Sequence, residues 1–203
     1  MHIPVLLHES IEGLAIKEGG VYVDCTTNRG GKDGVLICID LDQEALAEAR
    51  EKIEKMKNLP KIHFIHSNFR HLPQILNDLK ITHVDGILAD LGLSSQELDE
   101  SGRGFSFRFD EPLLMTFDAK PEEDMTTAYD IVNFWSESTI ADILFGFSDE
   151  RYGRRIASAI VAKREEAPIK STFELVEIIK SAVPALYRHR KTHFATKTFQ
   201  ALR

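Results

Sequence analysis

From residue 21 onward, short apolar runs alternate with amphipathic stretches, the pattern of a parallel sheet covered by helices. Residues 21–25 (Val-Tyr-Val-Asp-Cys), 35–40 (Val-Leu-Ile-Cys-Ile-Asp), 62–66 (Ile-His-Phe-Ile-His) and 84–90 (Val-Asp-Gly-Ile-Leu-Ala-Asp) read as four strands, two of them ending in an acid. Between residues 43 and 56, Ala45, Leu46, Ala49, Ile53 and Met56 recur at three- and four-residue spacing among charged positions, which predicts a surface helix. A shorter helix is expected over 72–79. After Asp90 the strand pattern stops: residues 94–118 read as an ordered loop rich in Gly, Ser and aromatics, and 127–134, 138–145, 150–163 and 172–183 read as helices. The tail, 193–203, carries no helix cap or turn, and four parallel strands followed only by helices predict an unfinished sheet. The first crossover is also short. Nine residues, 26–34, separate the first two strands, whereas a parallel connection takes a dozen or more, so a helix is missing there. Either this chain carries a deletion, or the numbering passes over residues that the full protein has.

Composition changes this picture mainly through charge. With 203 residues, 43% hydrophobic and 28% charged, the chain suits one globular domain or a domain with a large insertion, and disorder and coiled coil are excluded as its main character. The net charge of −7 hides a segregation: 13 basic and 28 acidic residues up to residue 150, against 12 basic and 4 acidic after it. An acidic body with a basic last quarter fits a catalytic part and a surface that meets a polyanion, although a basic helical face is also simply well solvated. Cys25 and Cys38 are too few for a disulfide framework or a four-ligand zinc site. The start lacks the basic and apolar stretches of a signal peptide and no apolar run would span a bilayer, so a cytoplasmic protein without membrane insertion is expected.

Two constellations carry chemistry. The first is Asp24 at the end of the first strand, Gly30 and Gly31 beyond it, and Asp40 at the tip of the second. In open parallel sheets ligands lie outside the carboxyl ends of the strands, glycines let the backbone approach, and an acid at the second tip bonds ribose hydroxyls. The same residues also serve as solvated caps and turns. Neither Gly-x-Gly-x-x-Gly nor the P-loop pattern is present, which disfavours a dinucleotide-dependent oxidoreductase and a triphosphate binder. The second constellation is Asp90 with Ser94 and Ser95, a carboxylate and two hydroxyls suited to orienting an amino group; the plainer role for either serine is a helix N-cap. The eight histidines show no metal-ligand spacing, so no metal is expected. Phe105, Phe107 and Phe109 alternate, as packed rings do more often than base-stacking ones. Arg188, His189, Arg190 and Lys191 form the densest basic cluster.

Taken together, these motifs resemble the bacterial small-subunit rRNA methyltransferase H family, also called MraW. The matching residues are His2-Ile3-Pro4-Val5-Leu6-Leu7, Tyr22-Val23-Asp24, Arg29-Gly30-Gly31, Ile39-Asp40-Leu41-Asp42, Asn68-Phe69, the run 84–95, Leu98-Asp99, Arg103-Gly104-Phe105-Ser106-Phe107-Arg108 and the run 195–203. The resemblance implies an α/β, Rossmann-like class I methyltransferase sheet with an inserted helical domain, incomplete within these residues. Residues 1–95 would form the first part of the S-adenosylmethionine domain, 96–195 the inserted substrate-recognition domain, and 196–203 the return to the first. It implies transfer of a methyl group from S-adenosylmethionine to the N4 amino group of a cytidine in small-subunit (16S) rRNA, with naked rRNA or the assembling subunit as partner. Cofactor roles fall on Gly30, Gly31, Asp40, Phe69, Asp90 and Glu97, and catalytic roles on Asp90, Ser94 and Ser95. Phe105 or Phe107 would hold the unstacked base or shape the loop. At two positions the chain departs from the family: Lys32 stands where a histidine follows the glycines, and Glu97 where the cofactor loop has a glutamine. The alternative is a non-catalytic nucleoside- or RNA-binding module with a truncated methyltransferase fold.

Overall fold

The computed structural model describes residues 7–24, 33–55, 59–89, 92–93, 98, 101–121 and 125–203, without the side chain of Leu7. The chain forms two compact units, Met1–Gly92 and Leu93–Arg203.

The first unit is a parallel four-stranded sheet flanked by helices, an α/β Rossmann-like arrangement. Its strands are β1 (Val21–Asp24), β2 (Val35–Asp40), β3 (Lys61–His66) and β4 (Gly86–Leu88), in the order β3-β2-β1-β4. Register pairs Val21 with Val35 and Asp24 with Cys38, and Asp40 with His66 on the other side of β2. Alternation along the strands sorts the core onto two faces. Tyr22, Leu36 and Cys38 pack with Leu46 of α2 (Gln43–Glu54) and with Leu14 of α1 (Leu7–Leu14). Val23, Ile37 and Ile39 pack with Ile75 of α3 (Leu72–Asp78). Both faces are covered, which is why β2 reads as an unbroken apolar run. Helix α2 is fixed at its start by Asp42, whose carboxylate accepts the Glu44 and Ala45 amides at 2.9 and 3.2 Å.

Strand β4 and helix α1 differ from expectation. Strand β4 covers Gly86–Leu88 of the expected 84–90; just before it the Asp85 carboxylate accepts the Val21 N–H at 2.9 Å while the Asp85 amide donates to the Val21 carbonyl at 2.7 Å, and Asp90 lies outside the described residues. The strand forms an edge of the sheet among the described residues and leaves Ile87 50% exposed. Helix α1 was not among the expected elements, because eight residues span barely two turns, too short for periodicity to declare a helix. Strands β1 and β2 pair in parallel across their short connection, of which residues 25–32 lie outside the described residues.

The second unit is helical: α4 (Ala128–Phe134), α5 (Glu137–Ser148), α6 (Gly153–Glu166), α7 (Thr172–Ala182), α8 (Ala185–Arg188) and α9 (Thr196–Leu202). Ile140 and Leu144 of α5, Ile156 and Ile160 of α6, and Leu175 and Ile179 of α7 meet in one core, wholly withdrawn from solvent. Capping boxes, Thr127 with Asp130 and Ser171 with Glu174, set the starts of α4 and α7. Helix α5 runs past Phe145 because the Ser148 hydroxyl donates to the Leu144 carbonyl and the helix stops only at Asp149, in the left-handed region at φ 50°. The tail residues form α9, which packs on α5 and buries Phe199 and Leu202.

The loop 101–121 is tied down at both ends. The Gly104 amide donates to Glu111 Oε2 at 2.8 Å and the Met115 amide to the Arg103 carbonyl at 2.7 Å. Thr172, the first residue of α7, accepts the Glu111 amide on its hydroxyl and donates that hydroxyl to the Phe109 carbonyl at 2.6 Å. Phe105 is 1% exposed and belongs to the core, so it shapes this loop and is not placed to hold an unstacked base. Phe107 stacks on His193 with ring centroids 4.5 Å apart and meets Phe199 edge-on.

Two glycines in this loop have positive φ but differ in their surroundings. Gly102, at φ 67°, faces open space, whereas a Cβ on Gly104, at φ 77°, would lie 2.3 Å from the Pro112 carbonyl oxygen. Gly102→Ala is therefore expected to cost about 1–2 kcal/mol from backbone strain alone. Gly104→Ala should cost at least about 1 kcal/mol more, because backbone has to move. Urea unfolding of the two variants measures the difference.

Candidate functional site

Because all four strands run the same way, their carboxyl ends share one edge of the first unit, and the described candidate residues gather there. Asp24 is the last residue of β1 and is buried; Asp40 is the last residue of β2 and is half-buried. Asp40 Oδ1 accepts the Asp42 amide at 2.9 Å, which holds the carboxylate in the turn that leads into α2. His66, opposite Asp40 in register, places Nε2 2.9 Å from the Leu41 carbonyl oxygen, so the ring donates and links the turn after β2 to the end of β3. Asn68 then accepts the Arg70 amide at 2.9 Å and starts a single 3-10 turn whose first residue is Phe69. That ring is 48% exposed, on the same edge as Asp40. A half-buried carboxylate and an open aromatic ring on one sheet edge suit a nucleoside, the acid for ribose hydroxyls and the ring for the base face.

Of the other expected site residues, Gly30, Gly31, Asp90, Ser94, Ser95 and Glu97 lie outside the described residues. Strand β4 nevertheless runs toward the same edge, ending at Leu88 two residues before Asp90. Asp42 and Asn68, matched by the resemblance only as members of motifs, and His66, given no role, help to position Asp40 and Phe69. Each acts through a bond to backbone, and only the Asx-type spacing at Asp42 and Asn68, just before their helical turns, signalled it.

A small hollow on the α1 face is lined by Ile11, Leu14, Tyr22, Asp24, Leu36 and Leu88. Asp24 also acts electrostatically on its neighbour in register. Burial, and secondarily the Asp24 charge, push the Cys38 thiol up to about 12. Among the described residues no cluster of three or more His, Cys, Asp or Glu is arranged to hold a metal ion, and no helix is long and apolar enough to cross a membrane.

The family model of the MraW methylases matches residues 1–203. The chain belongs to the MraW methylase family. It is 43% identical over 212 residues to the Ribosomal RNA small subunit methyltransferase H of Brevibacillus brevis, a match covering 100% of this chain and 66% of that protein. The MraW-family chain thus spans about two thirds of the relative's length, and the aligned stretch is longer than the chain by nine residues.

A thiol with so high a pKa holds almost no thiolate near neutrality. Cys38 is expected to resist iodoacetamide at pH 8 in the folded protein and to react on unfolding, which peptide mass mapping reads directly. The linkage has a definite sign. The unfolded thiol ionises near 9.0 and the folded one near 12, so Cys38 makes the first unit lose stability as pH rises above 9.

Proposed function

We propose that this chain belongs to an enzyme that transfers a methyl group from S-adenosylmethionine to the N4 amino group of a cytidine in small-subunit (16S) rRNA, acting in the cytoplasm on free rRNA or on the assembling subunit. The observation that carries the reading is the placement of the Asp40 carboxylate and the exposed Phe69 ring on one carboxyl edge of a parallel sheet, in a chain of the MraW methylase family. Asp40 would hold the ribose and Phe69 lie against the adenine, with Gly30 and Gly31 allowing close backbone approach and Glu97 completing the cofactor loop.

When bound, S-adenosylmethionine supplies a methyl group already activated by its sulfonium. The remaining difficulty lies with the acceptor, because the N4 lone pair of cytosine is delocalised into the ring. Asp90, with Ser94 or Ser95, would fix the amino group in line with the methyl and take its proton as the N–C bond forms and the S–C bond breaks. The target base must leave its stack to reach Asp90.

Calorimetry with S-adenosylmethionine and methyl transfer to unmodified small-subunit rRNA test the two halves of the proposal separately. Asp40→Ala is expected to weaken cofactor binding by about 1.5–3 kcal/mol, the range for hydrogen bonds to a charged group. Asp90→Asn should lower methyl transfer by roughly 10²-fold or more while sparing cofactor affinity. A parent protein that binds the cofactor and transfers no methyl group would instead be the nucleoside-binding module.

A further inference from the structure

The basic last quarter of the chain is not uniformly available to a ligand. Arg188 donates its Nε to the Val183 carbonyl at 3.3 Å, and Lys197 donates to the Asp149 carbonyl at 2.8 Å. Lys163 and Lys180 pair with Glu166 and Glu177. Three exposed arginines are arranged differently, around a pair of tyrosines where α6 begins and α8 ends. The guanidinium of Arg151 lies 4.8 Å from the Tyr152 ring centroid, that of Arg155 6.0 Å from the same ring, and that of Arg190 5.0 Å from the Tyr187 ring. The two rings meet edge to face at 4.9 Å.

A buried acid holds this platform rigid. Glu150 is 1% exposed; its Oε2 accepts the Tyr187 hydroxyl at 2.7 Å and its Oε1 accepts the Tyr152 amide at 2.9 Å. Both carboxylate oxygens are thus used inward. Among the described residues no carboxylate lies within ion-pairing distance of Arg151, Arg155 or Arg190. Arg154 and Arg155 also occupy the first turn of α6, which contains no acid, so they add positive charge at the positive end of the helix dipole. Glu150 lies beneath the rings without pairing with any of the three arginines, so a bound polyanion would supply the contact counter-charge they lack.

We infer that the arginines set against Tyr152 and Tyr187 form the surface on which phosphates of the RNA substrate dock. This rests on the rRNA reading proposed above and names where that RNA is gripped. Each guanidinium rests against a ring, 4.8–6.0 Å from its centroid, on an exposed side chain, and a guanidinium restrained in this way meets a phosphate at lower entropic cost than a free one. The tyrosines themselves are buried or half-buried beneath the arginines, so the surface reads backbone charge and not bases. It differs from the cluster 188–191 that the sequence suggested: Arg190 belongs to it, and Arg188 is committed to the protein backbone.

The test is binding of a small-subunit rRNA transcript to the full chain across a salt series. It compares the parent, Arg151→Ala/Arg155→Ala/Arg190→Ala, and a charge-matched control, Lys163→Ala/Lys170→Ala/Lys180→Ala. The arginine variant is expected to bind roughly tenfold or more weakly, with its log–log salt slope reduced by up to about three units, about one per lost phosphate contact. The control should keep a slope near the parent's. Equal loss in both variants would mean that net charge alone matters, and would overturn the inference, as would an arginine variant that binds like the parent. Competition by polyglutamate as effective as that by unlabelled RNA of equal charge would also overturn it, in favour of an acidic protein partner. If the arginine variant binds normally and the parent methylates rRNA, only the docking surface is wrong. If the parent binds no rRNA at any salt, the substrate reading itself fails.

Discussion

The Val35 amide donates to the Gly20 carbonyl at 3.0 Å, and a Cβ on Gly34 would lie 2.3 Å from that same oxygen. This close approach makes β1 and β2 start level with each other. The register then places Asp24 beside Cys38 and carries Asp40 two residues farther along, past the end of β1. On the far side of β2, pairing with β3 brings His66 level with Asp40 and Phe69 just beyond it. A slip of one residue at Gly34 would turn every apolar side chain of β2 to the opposite face and remove Asp40 from its turn. The candidate nucleoside edge is therefore set at the amino ends of the strands, remote from the atoms that would bind the ligand.

How much was legible in the sequence depended on whether the deciding bond was local. Strand β2 coincides with the expected 35–40 because burial on both faces writes itself as a continuous apolar run. The expected strand 84–90 begins only at Gly86, after the point where the Asp85 side chain reaches Val21, sixty-four residues away, and periodicity holds no trace of that bond. The α5 terminus was misjudged for a related reason. The helix expected over 138–145 continues to Ser148, and the stop is Asp149 in a conformation usually left to glycine. At the candidate site, Asp40 was found from its position at a strand tip and Phe69 from family resemblance. The cross-loop bond of His66 was visible to neither.

Glu150 shows the same limit from the energetic side. In sequence it looks like an acid in the first turn of a helix. In the fold it lies before α6 and faces inward, joining that helix to Tyr187 of α8. Burying a carboxylate is tolerable only when its oxygens are satisfied, and here a phenol and an amide satisfy them. Within the second unit this buried side chain thus specifies where α8 sits.

Thr172 has a comparable double attachment, and its consequence is cooperative. The residue opens α7 and at the same time fastens the chain at Phe109 and Glu111, with its amide donating to the Glu111 carbonyl at 2.9 Å. Fraying the first turn of α7 must release the loop, and releasing the loop must expose that turn. The two segments, some sixty residues apart in sequence, therefore open and close as a single foldon, and their amides share one opening free energy in hydrogen exchange. A ligand that orders the loop would by the same linkage slow exchange at the start of α7, without touching the helix.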